Sequence, residues 1–244
     1  MAIFGWGGRR RRPEADDRST ATERDAGPSD AVIDAAVRVA LLPGFRTLRQ
    51  VADAVAWDLE AAASRLDRDG TTTAALDSAV LHARVLERAG ALRRELAPTP
   101  GDGYERLSDA FRTAAEHGML ALMGVGVDVR GARDEVDRLF AEDPRPWAFV
   151  CFSQQDADAL ADPPADLQLT FGALRPDPSI DPDLVAAAGE TGHAAAAIRE
   201  RSTLAAGAIV LEALADNGLD AGWDGEIGQP IVVHLLDWGK PLPE

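Results

Sequence analysis

The sequence predicts an α+β protein in which an N-terminal helical bundle is followed by a split βαβ-type α+β sandwich of about five strands. Three observations carry this expectation. From Asp30 to about Leu96 apolar residues recur at spacings of three and four, the period of amphipathic helices. Beyond Gly103 short apolar runs of strand character alternate with helical stretches. Their order, strand, helix, strand, strand, helix, strand, strand, places helices on one face of a sheet. The chain accordingly divides into a leader (1–29), a helical region (30–103) and an α+β domain (104–244).

Taken in order, Ser29 caps a first helix carrying Val32, Ile33, Val37, Val39 and Leu41, and Pro43-Gly44 breaks it. A second helix holds Leu48, Val51, Ala52, Val55 and Leu59 and closes at Asp69-Gly70. A third starts near a Thr71-Thr72-Thr73 cap and runs through Leu76, Val80, Leu81, Val85, Leu92 and Leu96, until Pro98, Pro100 and Gly101 stop it. Packing these stripes together gives a short bundle. Tyr104 to His117 is a further helix with Leu107, Ala110, Phe111 and Ala114 in line, ended by Gly118, the residue that a left-handed helix terminus favours.

Met119 to Met123 reads as a short buried strand and Val129 to Phe140 as a helix. Trp147 to Phe152 is uninterruptedly apolar, which suits a central strand covered on both faces. Leu167, Leu169 and Phe171 alternate with Gln168 and Thr170, the pattern of a half-exposed strand. A long alanine-rich helix from Gly192 to Asp216 ends at Asn217-Gly218, and two extended pieces, 219–224 and 231–236, finish the sheet.

Composition excludes several function classes. The 244 residues hold 41 acidic and 25 basic side chains, a net charge of −16, which repels a polyanion, so no nucleic-acid partner is expected. Lys240 is the single lysine; the arginine bias is what high-GC coding produces and carries no functional weight. One cysteine, Cys151, allows no intramolecular disulfide and no multi-cysteine zinc site, and inside an apolar strand it reads as an inert core residue. That cysteine usage fits a reducing cytoplasm.

The N-terminus places Ile3, Phe4 and Trp6 before Arg9 to Arg12, the reverse of a secretory signal. Position 2 is alanine, so the glycine needed for myristoylation is missing, and no stretch reaches the roughly 20 apolar residues of a membrane span. Six arginines up to residue 30 balance six carboxylates, so the whole −16 belongs to residues 31–244. The leader reads as disordered and solvated. Its arginine run next to apolar residues is also the composition that touches anionic membranes.

Several segments form an ordered series: Trp147-Ala-Phe-Val-Cys-Phe-Ser-Gln-Gln-Asp156, Leu169-Thr-Phe-Gly-Ala173, Glu212-Ala-Leu-Ala-Asp-Asn-Gly-Leu219 with Trp223-Asp224-Gly225, and Leu235-Leu-Asp-Trp238. Together they resemble an uncharacterised domain-of-unknown-function family of high-GC bacteria over roughly residues 31–240. In that family an aromatic strand ends in a Phe-His-x-Gln-like turn, and Trp-Asp-Gly precedes a C-terminal Leu-Asp-Trp. The resemblance implies a domain and no activity. Two departures stand out. Where some relatives carry cysteines after the first strand, this chain has Gly124 to Val129, and Ser153 replaces the strand-end histidine. A metal role in relatives therefore does not carry over.

Candidate chemistry is sparse. Ser153-Gln-Gln-Asp156 approximates a capping box. Capping accounts for it, and Gln155 is a secondary candidate for ligand contact because a helix start at a strand's carboxyl end is a place where anions bind. Trp223, Asp224, Asp237 and Trp238 put two carboxylates and two indoles at strand ends. If those strands pair, Asp224 and Asp237 would line one cleft as an acid–base couple, although Asp-Gly is also a turn signal and Trp also packs over sheet ends. His82, His117, His193 and His234 show no ligand spacing, so no metal and no cofactor are expected. Gly124-Val-Gly126 begins like a dinucleotide fingerprint, but Val129 stands where the third glycine should fall. The expected function is a non-enzymatic binding module with an acidic surface and a basic protein partner, such as an inhibitor or immunity-like protein. The alternative is a hydrolase using the paired carboxylates.

Overall fold

The computed structural model describes residues 27–68, 77–98 and 100–242. Residues 1–26 of the predicted leader, the Asp69-Gly70 stop and the Thr71-Thr72-Thr73 cap lie outside the described residues. Within them the fold is α+β: eight α-helices and one mixed five-stranded sheet.

Helices α1 (Asp30–Leu41), α2 (Leu48–Arg68) and α3 (Ser78–Glu95) form the bundle. Ser29 accepts a hydrogen bond from the Val32 amide and caps α1 as expected. The cap of α3 is Asp77, which accepts from the Ala79 and Val80 amides. The described helix starts at Ser78, where a carboxylate meets the exposed amides. Ile33, Val37, Ala40 and Leu41 of α1 pack with Val51, Ala52, Val55 and Ala56 of α2 and Leu81, Val85, Ala89 and Leu92 of α3. Val32, Val39 and Val80 point outward, because a three-helix bundle buries only one stripe of each helix.

Helix α4 (Gly103–Glu116) leads into β1 (Met119–Leu122), then α5 (Val129–Glu142), β2 (Ala148–Cys151), the short α6 (Gln154–Ala157), a 3-10 turn (158–161) and β3 (Ala165–Ala173). After these come α7 (Pro182–Ala188), α8 (His193–Asp216), β4 (Ala221–Gly222) and β5 (Ile231–Leu236). The sheet order is β1-β2-β3-β5-β4. β1 and β2 are parallel and adjacent, and the other neighbours are antiparallel. No strand enters between β1 and β2, so the βαβ unit is not split. β1 is an edge strand, and only Met119 is buried in it, since one flank of an edge has no neighbour.

Central strand β2 is buried throughout, as its apolar run predicts. Alternation sends Ala148, Val150 and Phe152 to the main core, together with Leu107 and Phe111 of α4 and Val210 and Leu214 of α8. Phe149 and Cys151 face the other side, where Ala132 and Val136 of α5 cover them. Helices therefore lie on both faces of the parallel pair, whereas a single helical face was expected. A chain leaving β1 and returning parallel through α5 must place that helix on a face of the sheet, and α4 and α8 already fill the other. Strand β4 is cut to two residues of the expected 219–224. Helix α7, with Pro182 in its first turn and no buried residue, is too short to show a period.

The last residues tie both halves together. Trp238 is fully buried, donates its indole N–H to the Pro43 carbonyl at 3.0 Å, and lies against Tyr104 and Phe45. Lys240 places its ammonium over the rings of Tyr104 and Phe45. Leu242 packs on the bundle core.

Candidate functional site

The parallel strands β1 and β2 end side by side, and the segments leaving them run on as a pair. Val125 N–H donates to Phe152 O, Gln154 N–H to Gly126 O and Gln155 N–H to Val127 O, at 3.0–3.2 Å. Gly124 has φ +62°, and a Cβ there would sit 2.4 Å from the Phe45 ring. Its conformation and its lack of a side chain let Phe45, from the α1–α2 loop, press onto the end of β1. The residue read as a failed dinucleotide loop is thus a docking point for the bundle.

Arg46, the next residue, is 4% exposed. Its guanidinium makes a two-pronged pair with Asp158 and also donates to Gln154 Oε1 at 3.2 Å and to the Ala40 carbonyl at 3.5 Å. One side chain thereby joins α1, α6 and the 3-10 turn. Burial pushes the Asp158 carboxyl above the usual range, although the Arg46 hydrogen bonds pull it down. A buried guanidinium needs such full pairing.

Between α2 and these strand ends lies a cleft of about 690 Å³. Gln50, Asp53, Ala54, Trp57 and Asp58 of α2 line one wall. They recur at i, i+3, i+4, i+7 and i+8, a single helix face turned away from the buried stripe of Val51, Ala52, Val55 and Ala56. Val127, Asp128, Gln155 and Asp158 are on the other wall. Four carboxylates thus meet one guanidinium, which Asp158 already neutralises. Asp53 accepts from His82 Nε2 at 2.8 Å, and Asp128 caps α5 through the Gly131 amide. Asp58 and Gln155 have no side-chain hydrogen bond among the described residues. Trp57 is 73% and Val127 67% exposed at the rim, a large apolar exposure for an indole that packing alone does not require.

The residues singled out from sequence fall in three places. Gln155 lines this cleft, and Ser153 with Asp156 forms the expected capping box. Trp238 is core. Trp223 stacks edge-on against Phe171 and donates to the Glu226 carbonyl, while Asp224 accepts from the Glu226 amide, so both serve the β4–β5 turn. Asp224 flanks the start of β5 and Asp237 follows its end, about 20 Å apart by strand length. The structure does not bring those carboxylates together. Sequence reasoning missed Arg46, Asp53, Trp57 and Asp58. A legible signal existed for Trp57, which lies opposite the apolar stripe of its helix. Among the described residues no His, Cys, Asp and Glu group is arranged to hold a metal, and no helix is long and apolar enough to cross a membrane.

Residues 28–242 match the family described as Domain of unknown function (DUF6891). The chain belongs to that family. No match is found among curated proteins or among solved structures.

Proposed function

We propose that this protein is a non-enzymatic, cytoplasmic binding module that takes a cationic group of a basic protein partner into the cleft beside Trp57. The observation that carries this reading is the exposed indole beside a cavity whose only cation among the described residues, Arg46, is already paired. An aromatic face next to carboxylates attracts ammonium or guanidinium groups by about 0.5–2 kcal/mol, and the acidic surface steers a cationic partner toward it. An inhibitor or immunity-like protein that blocks a basic protein would use such a site. The hydrolase reading loses its couple because β5 separates Asp224 from Asp237.

An arginine-rich peptide carrying a fluorescent label, titrated with the full chain at low and at physiological salt, tests the proposal, with fluorescence anisotropy of the label as the readout. Trp57→Ala should weaken binding about 3- to 30-fold, and Asp58→Asn should lower both affinity and its salt dependence. Absence of binding at low salt, or binding indifferent to both substitutions, would refute it.

A further inference from the structure

A second cavity of about 190 Å³ adjoins the cleft and shares Arg46, Ala54, Asp58 and Asp158 with it. The remaining walls are aliphatic: Ala36, Val39 and Ala40 from α1 and Val55 from α2. Three alanines at the α1–α2 contact leave the space open. Val39 is 44% exposed, so the volume borders solvent. An apolar cavity of about 150 Å³ is large enough for benzene, so this one accommodates one branched aliphatic side chain. The charged residues sit on the shared wall, and the apolar ones line the far side.

We infer that the partner's recognised unit has two parts, an arginine side chain for the acidic cleft and a nearby aliphatic side chain for the adjoining pocket. This rests on the cleft being a cation site. Arginine suits the first part because a planar guanidinium stacks on an indole and forks to a carboxylate at once. In an extended segment residues i and i+2 project to the same side roughly 6.6 Å apart, so one short stretch of backbone serves both volumes. A cationic group alone would leave the aliphatic pocket wet. A purely aliphatic segment would gain nothing from the four carboxylates at the entrance. The site therefore selects basic segments with an aliphatic residue two positions away from the arginine over segments that are merely basic.

The test compares two probes on the full chain at low salt, acetyl-Gly-Leu-Gly-Arg-Gly-amide and the same peptide with glycine in place of leucine. Burying the leucine side chain should tighten binding about 10-fold or more. Ala36→Leu, which fills the pocket, should bring the two affinities together; Val39→Phe, at the solvent-bordering wall, does the same with less risk to folding, and a thermal melt confirms that each variant is folded. Equal affinities for both probes on the unsubstituted chain would overturn the two-part unit and leave the cation site standing. Failure of both probes to bind the unsubstituted chain and also the chain with Arg9, Arg10, Arg11 and Arg12 changed to Gln would overturn the cation site as well. Binding that emerges only when Arg9, Arg10, Arg11 and Arg12 are all changed to Gln would assign the cleft to the chain's own arginines and overturn the partner assignment.

Discussion

Trp238 reaches back across 195 residues to donate its indole N–H to the Pro43 carbonyl. This single bond joins the C-terminal segment, the α1–α2 loop and, through Phe45, the carboxyl end of β1. The cleft has that loop at its base, so the contact holds the site's geometry from a distance.

Trp238→Ala should cost about 3–5 kcal/mol, the range for emptying a large buried aromatic site. Trp238→Phe keeps most of the volume and leaves the Pro43 carbonyl unpaired, so about 1–3 kcal/mol is expected. Urea unfolding measures both, and a phenylalanine variant as stable as the parent would show that the bond contributes nothing.

Gly103→Ala tests the same join from the other side. The Gly103 amide donates to the Asp237 carbonyl at 2.8 Å, and a Cβ on it would lie 2.0 Å from that oxygen. Alanine ordinarily stabilises a helix, but here the tail must move, at a cost of about 1–3 kcal/mol. The readout is thermal stability together with the fluorescence of Trp238; a gain in stability would contradict the close approach.

Removing Asp158 strands Arg46. With its carboxylate partly exposed, Asp158→Ala should destabilise by about 2–4 kcal/mol, near the lower end for breaking a buried pair. The double substitution Arg46→Met with Asp158→Ala should cost less than the sum of its parts, because no buried charge is left over. Additive losses in a double-mutant cycle would count against the pairing.

The same carboxyl has a pH signature. Its folded pKa is raised, chiefly by burial, so its contribution is complete below the unfolded carboxyl value of about 4 and is lost as pH rises through the folded value. Asp34 behaves oppositely. Its hydrogen bond with Arg88 lowers its pKa, so its contribution is present above the unfolded value and is lost as pH falls through the folded one. Relative to Asp158→Asn, the parent should therefore lose stability as pH rises from about 4 through the raised folded value. Denaturation series at several pH values would reveal a flat difference if burial did not act on Asp158.

Cys151 is fully buried in β2, and burial pushes its thiol up to about 12. Alkylation by iodoacetamide at pH 8 should be negligible in the folded protein and complete in denaturant. Rapid labelling without denaturant would mean that the β2 region opens readily.

The sequence by itself determined the periods and their punctuation. Ile33, Val37 and Leu41, the alternation of Leu167, Leu169 and Phe171, the unbroken run into Cys151 and the Ser153 cap each report their environment through neighbours only a few residues away. Local spacing therefore sufficed for them, and strand β5 falls where the sequence places it. Other features depend on which distant segments meet, and only the tertiary structure decided those. Parallel pairing of β1 with β2 put Gln155 beside Val127; the docking of Phe45 against Gly124 brought α2 over those strand ends. That arrangement turned Trp57, Asp53 and Asp58, three residues on the polar side of an amphipathic helix, into the wall of a cleft. It also set Asp224 and Asp237 a strand length apart, because residues near one another in sequence on either side of a β-strand are separated by the strand's own rise.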